Sequence, residues 1–438
     1  MLENLIRQLA DKKILILGFG KEGIDTYLAL RKLFPAKIFG VADKKEIGEY
    51  DVKTQKTLLK DKNLKTYFGK NYLTKAGEYN LIIKTPGISP KEFNLPSASQ
   101  TEIFFDNFPG ITVGVTGTKG KGTTSSLIYE ILKAGGLKVS LGGNIGKPVF
   151  QYLLKAKPND IFVYELSSQQ LKNLKKSPQI AVFLNILQDH LDYYKNQAEY
   201  EKSKANITLY QTKNDYLIFN SQDKKVKQVA QKSKATKIPF SLAKKSNVFK
   251  IISQKDINLR GEFNLLNIIA AIEAAKIFKI ENKFIKQGIK NFKGLPHRLE
   301  FVGKFKGIEF YDNSMATIPQ TTILDLKAFS NKPISLIVGG SDKGSDYKEL
   351  AKKISKSSIK NLIILGQGTG QKIIKELKNK KQDIFQVQTM QEAVKTCYQK
   401  TPKNGVCLLS PASASFNLFK DYKDRGEQFI KAIKEYLD

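Results

Sequence analysis

A glycine-rich loop between an apolar strand and a helix constrains the fold of this chain more than any other feature. The predicted strand Ile111–Val115 runs directly into the segment Gly114-Val115-Thr116-Gly117-Thr118-Lys119-Gly120-Lys121-Gly122-Thr123-Thr124. In that context glycines let backbone N–H groups approach a phosphate, and the helix N-terminus adds positive potential. The pattern predicts a parallel α/β sheet with a phosphate-binding loop, and a plain glycine-rich turn is the alternative.

The side chains of this loop suit phosphate chemistry. Lys121 would reach the terminal phosphates of a nucleotide. Residue 122 is a glycine where the usual pattern has Ser or Thr, so Thr123 or Thr124 must supply the hydroxyl that usually meets Mg²⁺. The predicted phosphate-binding set is Gly117, Thr118, Lys119, Gly120, Lys121, Gly122, Thr123 and Thr124.

The length of 438 residues exceeds one ordinary core and predicts two or three domains. No stretch reaches the roughly 18 unbroken apolar residues that a membrane span needs, and the first residues lack the apolar region of a secretory signal. Cys397 and Cys407 show no metal-ligand spacing. We therefore expect a reduced cytoplasmic protein without a membrane span, acting as a monomer.

The net charge of +32 raises the possibility of a nucleic-acid partner. Only five of the 73 basic residues are arginines, however, and the lysines are spread along the whole chain. Nucleic-acid readers favour clustered arginine. We expect no nucleic-acid partner and interpret the charge as lysine on solvated surfaces, where it would also attract small anionic substrates.

Predicted strands alternate with helices along the whole chain, which indicates an α/β fold. We predict three domains: a Rossmann-like domain over 1–108, a central P-loop ATPase-like parallel sheet over 109–298, and a Rossmann-like domain over 299–438. The predicted strands besides the one at the loop are Ile14–Leu17, Lys37–Ala42, Leu81–Ile83, Ile161–Tyr164, Ile180–Asn185, Ile308–Tyr311, Ile334–Val338, Asn361–Leu365 and Gly405–Leu409. Helices are predicted at Ile24–Phe34, Glu199–Thr208 and Leu265–Phe278.

A second glycine motif follows the first predicted strand. It reads Gly18-Phe19-Gly20-Lys21-Glu22-Gly23, and Asp43 lies 20 residues past its last glycine. A Rossmann fold places its ribose-binding acid at that distance. The motif alone allows NAD, a nucleotide sugar, or a tight turn with no ligand.

Polar residues follow two further strands of the central region. Glu165 ends the strand in Tyr164–Leu171, and a carboxylate there points into the ligand crevice of an α/β sheet, where it suits Mg²⁺. His190, one of two histidines, follows the next strand and could bind a metal or a phosphate. Each has an ordinary alternative: an exposed loop acid or a surface histidine. Lys204 carries no weight alone among so many lysines.

The ordered motifs of the chain resemble the muramyl ligases over nearly its whole length. They are TGTKGKGTT, GGNIG (Gly142–Gly146), YELSSQQL, NILQDHLD, YEKSKANI, GEFNLLN (Gly261–Asn267), GLPHR (Gly294–Arg298), GGSDKG (Gly339–Gly344) and SPASASFNLFKDYKDRG (Ser410–Gly426). Several are shared with folylpolyglutamate synthases. The N-terminal glycine motif with TPGI and the C-terminal SPASAS segment look like the D-glutamate-adding members.

The resemblance implies an ATP-dependent carboxylate–amine ligase of peptidoglycan precursor synthesis. Its expected substrates are UDP-N-acetylmuramoyl-L-alanine, D-glutamate and ATP, with two Mg²⁺ ions as cofactors. The L-alanine carboxylate would attack the γ-phosphate of ATP, and the amine of D-glutamate would then attack the resulting acyl phosphate.

The resemblance also implies roles for matching residues. Lys121, Lys204, His190 and Glu165 are expected at the catalytic centre, where Thr123, Glu165, His190 and a carbamoylated Lys204 hold metal. Beyond the loop, expected ATP contacts are Asn264, Asn267, His297, Arg298, Asp312 and Asn313. Expected UDP-sugar contacts are Gly18, Phe19, Gly20, Gly23, Asp43, Thr85, Gly87 and Asn144. Residues expected to receive the amino acid are Thr317, Lys343, Ser415 and Tyr422.

The chain departs from the family pattern at a few of these positions. Asp312-Asn313 stands where many members read Asn-Asp, Met315 replaces a lysine, and Tyr422 replaces a phenylalanine. These changes bear on amino-acid specificity. The alternatives are therefore a related muramyl or folylpolyglutamate-type ligase with another amino acid, a non-catalytic nucleotide-binding protein, or a nucleic-acid-binding protein.

Overall fold

The structure is a computed structural model that describes residues 2–146, 149–190, 193–342, 344–377, 381–416 and 418–437. The chain divides into two compact units. The N-terminal unit combines Met1–Ile251 with Leu266–Ile289, and the C-terminal unit combines Ile252–Leu265 with Lys290–Asp438. The predicted boundary at residue 108 stays a prediction, because both of the first two sheets lie in the N-terminal unit.

The first sheet of the N-terminal unit has four parallel strands in the order β3-β2-β1-β4. Of its two inner strands, β1 is the wholly buried run Ile-Leu-Ile-Leu. Such continuous apolar strands are typical of a sheet covered on both faces. The strands are β1 (Ile14–Leu17), β2 (Phe39–Asp43), β3 (Leu64–Phe68) and β4 (Leu81–Lys84). The helices are α1 (Leu2–Leu9), α2 (Lys21–Leu33), α3 (Val52–Lys60) and α4 (Gln100–Asn107).

The second sheet of this unit has six parallel strands in the order β10-β9-β8-β5-β7-β6. The glycine-rich loop leaves the carboxyl end of β5, between β7 and β8. The strands are β5 (Ile111–Thr116), β6 (Val139–Gly143), β7 (Ile161–Glu165), β8 (Ile180–Phe183), β9 (Tyr216–Asn220) and β10 (Thr236–Phe240). The helices are α5 (Lys121–Ala134), α6 (Phe150–Leu153), α7 (Ser168–Leu171), α8 (Gln197–Leu209), α9 (Lys224–Lys232) and α10 (Lys245–Ile251).

Two helices follow in the chain and cross the division between the units: α11 (Glu262–Ile277) and α12 (Asn282–Asn291). The sheet of the C-terminal unit has the order β11-β12-β16-β13-β14-β15, parallel except for the β11–β12 pair. The strands are β11 (Glu300–Phe305), β12 (Ile308–Asp312), β13 (Ile334–Val338), β14 (Ile359–Leu365), β15 (Asp383–Val387) and β16 (Val406–Leu409). The helices are α13 (Pro319–Ala328), α14 (Lys348–Ser355), α15 (Thr369–Glu376), α16 (Met390–Lys400) and α17 (Tyr422–Glu435).

Each unit buries its own apolar core. In the C-terminal unit the core lies on both faces of the sheet, because successive strand residues point to opposite sides. Leu336 and Leu408 pack on one face with α13 and α14, whereas Ile337 and Cys407 pack on the other with α16 and α17. Because β12, β16 and β13 are parallel neighbours, their carboxyl ends meet at the same end of the sheet, where three loops begin.

The predicted α/β class is confirmed, and β1 and β13 have the predicted bounds. Among the helices of the described residues, none has both the length and the apolar character that crossing a membrane requires.

Candidate active site

The loop after β5 takes the shape that its glycines allow. Gly120 has φ of 86° and precedes α5, and a Cβ at this position would lie 2.5 Å from the side-chain oxygen of Asn267. The positive φ favours glycine, and any larger residue would also displace the side chain of Asn267. Lys121 begins the helix, and its Nζ donates to the carbonyls of Gly117 and Thr118 at 3.0 and 3.1 Å. The loop thus holds a cation at its own centre.

Lys204 lies beside the same loop, although it is distant in sequence. It comes from α8, is only 1% exposed, and its Nζ donates to the carbonyl of Gly117 at 3.0 Å. Burial, followed by the positive charge of Lys121, holds the pKa of Lys204 well below its usual value, and Asp189 opposes this shift. A lowered pKa increases the neutral fraction of a lysine amine, and the neutral amine is the nucleophilic form.

These lysines open onto a cavity of about 420 Å³ within the N-terminal unit. Tyr200 forms part of its wall: its hydroxyl lies 2.9 Å from that of Thr118, and its ring lies 4.9 Å from Nζ of Lys204. The cavity is lined by Pro86, Gly87, Thr118, Lys121, Asn144, Ser167, Ser168, Gln169, His190, Tyr193, Tyr200 and Lys204. Six predicted site residues from separate parts of the sequence therefore meet here: Gly87, Thr118, Lys121, Asn144, His190 and Lys204.

Hard oxygen donors lie at the ends of the neighbouring elements. Glu165 is buried at the end of β7, and its Oε1 accepts a hydrogen bond from Nδ2 of Asn144 at 2.7 Å. Thr123 and Thr124 lie in the first turn of α5, both buried. Within the part of the chain that the structure describes, the hydroxyl of Thr124 is buried and has no hydrogen-bond partner. A buried polar atom of this kind calls for a ligand or an ion.

His190 reaches the cavity from the segment after β8. Its backbone has φ of 56°, and its ring lies 6.2 Å from the ring of Tyr200. Its Nε2 is 3.9 Å from a carboxylate oxygen of Asp189, and both side chains are substantially exposed. The imidazole is therefore accessible to a substrate or an ion.

The N-terminal glycine motif forms a tight loop beside β4. Gly18 has φ of 91°, and a Cβ there would lie 2.0 Å from the hydroxyl oxygen of Thr85. The carboxylate of Asp43 accepts hydrogen bonds from the backbone N–H groups of Phe19 and Lys45. Asp43 thereby fastens the loop to the end of β2. The predicted residues Gly18, Phe19, Gly20, Gly23, Asp43 and Thr85 gather here and do not line the cavity.

In the C-terminal unit, His297 and Asp312 form a buried pair. Nδ1 of His297 lies 2.7 Å from Oδ2 of Asp312, and the backbone N–H of Ser314 donates to Oδ1 at 2.7 Å. The hydrogen bond to Asp312 raises the pKa of His297. A Cβ on Gly426 would lie 2.1 Å from Nδ1, so only glycine fits against the pair. Both carboxylate oxygens of Asp312 are thus used within the protein.

Arg425 is a residue that the sequence reasoning did not assign to the site. It is fully buried on α17, and its guanidinium donates to Oγ and the carbonyl of Ser314 at 3.0 and 2.8 Å. It also donates to the carbonyls of Ser413 and Ala414 at 3.0 and 3.3 Å. Burial lowers its pKa to about 10. Its position in the DYKDRG motif of an arginine-poor chain was the available signal.

The residues expected to receive the amino acid lie in the loops that Arg425 joins. Thr317 is half-buried after β12, Ser415 is buried after β16, and Tyr422 begins α17. The carbonyl of Tyr422 accepts a hydrogen bond from Oγ of Ser314 at 2.7 Å. Lys343 lies outside the described residues.

The remaining expected nucleotide contacts are dispersed. Asn264 is buried in the C-terminal unit, where its Nδ2 donates to the carbonyl of Arg260 at 2.8 Å. Asn267 lies against Gly120 in the N-terminal unit, and Arg298 is exposed. Asn313 is buried, and its amide donates to Asp325 at 2.6 Å. The cavity also contains residues that were not predicted as site residues, although the first three follow a strand end: Ser167, Ser168, Gln169, Tyr193 and Tyr200.

Fold and cavity together define an α/β protein in which a glycine-rich loop, two lysines and buried oxygen donors meet at one edge of a parallel sheet. Comparison with known proteins narrows this class. Residues 115–275 match the family description "Mur ligase middle domain", and residues 297–413 match "Mur ligase, glutamate ligase domain".

Individual relatives agree with this result. The chain is 34% identical to the UDP-N-acetylmuramoylalanine–D-glutamate ligase of Caldanaerobacter subterraneus subsp. tengcongensis, over 98% of this chain and 99% of that protein. The UDP-N-acetylmuramate-alanine ligase of Thermotoga maritima shares the fold with a TM-score of 0.59 at 16% identity, over 97% of this chain and 100% of that one. The MurF ligase of the same organism, solved in complex with ADP, also has a TM-score of 0.59 at 16% identity, over 98% and 96% of the two chains. The chain belongs to the Mur ligase family.

Proposed function

We propose that this protein is an ATP-dependent ligase that joins D-glutamate to UDP-N-acetylmuramoyl-L-alanine in peptidoglycan precursor synthesis. The observation that carries the proposal is the 34% identity, over nearly the full length of both chains, to a ligase named for that reaction. The match to the glutamate ligase domain supports it. ATP is the energy source, in keeping with the ADP bound to the Thermotoga maritima relative.

The proposed chemistry has two steps. A carboxylate oxygen of the L-alanyl group attacks the γ-phosphorus of ATP, the bond to the bridging oxygen breaks, and ADP leaves. The amine of D-glutamate then attacks the acyl carbon, loses a proton, and expels inorganic phosphate as the amide forms. Three anionic groups must approach one another, so the main electrostatic requirement of the site is positive charge held in place.

Lys121 and the surrounding loop supply that charge for the ATP phosphates. Its Nζ is held over the loop by the carbonyls of Gly117 and Thr118, and it lines the cavity. The N-terminus of α5, which carries no side-chain cap, directs its backbone N–H groups toward the same region. Gly117, Thr118, Lys119, Gly120, Gly122 and Thr123 complete the proposed phosphate-binding set.

The donors beside the loop fit Mg²⁺, which prefers oxygen ligands. We assign the metal to the buried carboxylate of Glu165 and to a hydroxyl of the first turn of α5, with His190 at its edge. The unpartnered hydroxyl of Thr124 favours that residue over Thr123 as the hydroxyl donor. A bound magnesium ion would neutralise charge on the phosphates.

Lys204 is the proposed site of carbamoylation. Its lowered pKa favours the neutral amine, which adds to carbon dioxide and releases a proton. The product carries a negative charge and would add an oxygen ligand at the cavity. Protein incubated with ¹³C-bicarbonate should show one carbamate NMR signal that is missing in Lys204→Met. A spectrum without that signal would contradict the assignment.

We assign the UDP-sugar to the N-terminal glycine loop with Gly87 and Asn144, and the amino acid to Thr317, Lys343, Ser415 and Tyr422. Asn264, Asn267, His297, Arg298, Asp312 and Asn313 are the further proposed nucleotide residues. Because the carboxylate of Asp312 is already bonded to His297 and Ser314, its proposed contribution to nucleotide binding is to orient these two neighbours.

We further propose that the protein acts as a monomer in the cytoplasm. Its two cysteines are free and buried, which fits a reducing compartment. Sedimentation at micromolar concentration should give one species of the mass of a single chain, and a dimer would overturn the monomer assignment.

Phosphate release from ATP tests the function directly. We expect release only when UDP-N-acetylmuramoyl-L-alanine and D-glutamate are both present, with L-glutamate and D-aspartate as matched controls. Release with the sugar nucleotide and a different amino acid would keep the ligase and change its specificity, with Met315 the first residue to test. Failure of every pair would overturn the proposal.

A further inference from the structure

A further buried acidic residue in the C-terminal unit, Asp325, has no role in the chemistry described above. Asp325 lies on α13 and is 1% exposed. Its Oδ2 accepts two hydrogen bonds, from Nδ2 of Asn313 at 2.6 Å and from Oγ of Ser410 at 2.7 Å. Asn313 directly follows β12, and Ser410 directly follows β16. One carboxylate oxygen therefore joins the starts of two loops.

These loops leave neighbouring parallel strands. Asp312 and Leu409 are paired across β12 and β16, and the backbone N–H of Asn313 donates to the carbonyl of Leu409 at 2.8 Å. The carbonyl of Asn313 in turn accepts the N–H of Ala316 at 2.8 Å, closing a turn that leads to Thr317. The position of Asn313 therefore sets where this turn begins.

The other loop is held in the same way. Oγ of Ser410 lies 2.9 Å from Oγ1 of Thr322, which also donates to the carbonyl of Ser410 at 3.1 Å. Thr322 and Asp325 are both on α13, so this helix fixes Ser410 at two points. Ser415 lies five residues further along the same loop.

Burying the carboxylate of Asp325 in this network of hydrogen bonds costs free energy, because the carboxylate loses its hydration. Desolvation raises the pKa of Asp325 to about 7, while its two hydrogen bonds oppose that shift. An apolar residue would fill the space without this cost. A buried polar group whose bonds run to two loops serves to define their geometry.

We propose that Asp325 is a positioning residue for the amino-acid substrate. It sets the spacing between the turn that carries Thr317 and the loop that carries Ser415, and thereby the affinity of the ligase for the amino acid it adds. This inference rests on the proposed function, because it takes these two loops as the amino-acid site.

The test compares two replacements of similar size at this position. Asp325→Asn keeps an acceptor oxygen for Asn313 and Ser410, so its KM for D-glutamate should stay within about twofold of wild type. Asp325→Leu removes the acceptor and leaves two buried donors unpaired, so its KM for D-glutamate should rise about tenfold or more. The KM for the sugar nucleotide should change less than about twofold in both variants. The KM for ATP is no control for Asp325→Leu, because Asn313 is also a proposed nucleotide residue.

Two further variants keep the test decisive. Lys327→Ala, an exposed change on the same helix, serves as the control and should leave all three KM values unchanged. Ser410→Ala removes one of the two donors, and it should raise only the KM for D-glutamate even if Asp325→Leu does not fold. An unchanged KM for D-glutamate in Ser410→Ala, or an equal rise in the KM values for D-glutamate and the sugar nucleotide in Asp325→Leu, would overturn the inference.

Each KM is compared between variant and wild type. The positioning role of Asp325 is therefore tested separately from the identity of the amino acid that the ligase adds. If wild-type protein releases phosphate with another amino acid, the proposed specificity fails. The same variants would then be measured with that amino acid.

Discussion

The cavity beside the glycine-rich loop and the loop network of the C-terminal unit handle buried charge in opposite ways. At the cavity, the amines of Lys121 and Lys204 both donate to the carbonyl of Gly117, and both line open space. In the C-terminal unit, Arg425 and Asp325 are fully enclosed, and the bonds they make run to loop atoms. Charge that lines a cavity is available to a ligand, whereas charge enclosed among loops fixes their geometry.

Removal of the cation at the cavity should have the largest effect on activity. Lys121→Ala removes a positive group from the proposed phosphates, and we expect ligation to fall about 100-fold to 1,000-fold with little change in the free energy of unfolding. Phosphate release and chemical denaturation measure the two quantities. Lys133→Ala, an exposed change on the same helix, is the control. Equal activity of both variants would remove the assignment of Lys121.

The enclosed arginine should show the reverse pattern. Arg425→Leu leaves the carbonyls of Ser413 and Ala414 without their donor, so the free energy of unfolding should fall by about 3 kcal/mol. Arg425→Lys should recover only part of the loss, because an ammonium cannot reproduce the planar set of donors. Urea denaturation measures both, with the exposed Lys423→Ala as control. A stability equal to wild type would mean that the loops are held without Arg425.

The buried Lys204 should lower the stability of the N-terminal unit. Its pKa in the folded protein lies below the usual 10.5, so between these two values the unfolded chain binds more protons and wild-type stability rises with pH. Lys204→Met should therefore be more stable than wild type at pH 7 in bicarbonate-free buffer, yet inactive. Its advantage should shrink as the pH approaches 10. An advantage that stays constant with pH would contradict the lowered pKa.

Asp325 should make the free energy of unfolding depend on pH in the opposite direction, and this effect should be the smallest of the four. Its pKa in the folded protein is about 7 against a usual 3.8, so the folded chain binds more protons in that interval and stability falls as the pH rises. Wild-type protein should lose about 1 kcal/mol between pH 6 and pH 8 relative to Asp325→Asn. Thermal unfolding of both proteins at each pH measures this difference. Parallel pH curves would show that Asp325 is ionised throughout.

Much of the fold could be predicted because its central strands are continuous apolar runs. β1 and β13 are wholly buried, and their bounds follow from hydrophobicity alone. The strands that were missed include β3 and β15, which lie at the edges of their sheets and mix lysine, aspartate or glutamine with apolar residues. At an edge, pairing with one neighbour decides the conformation, and the sequence pattern carries little of that information.

The residues of the candidate site also differ in how far the sequence could predict them. Local geometry made the loop around Gly120 predictable, since a residue with a positive φ is most often glycine. Lys204 could be singled out only through the family resemblance, because nothing local distinguishes it from the other lysines. Its burial and its bond to Gly117 arise from the packing of α8 against the loop.

The sequence by itself determined the α/β class, the phosphate-loop pattern and the family, because these depend on periodicity and on short runs of neighbouring residues. The tertiary structure alone decided which charges are enclosed. Asp325 and Ser410 are 85 residues apart in the chain, and Arg425 and Ser314 are 111 apart. Their pairing depends on the strand order of the sheet, which brings the ends of strands that are distant in sequence to the same end of the sheet. No local sequence pattern records that order.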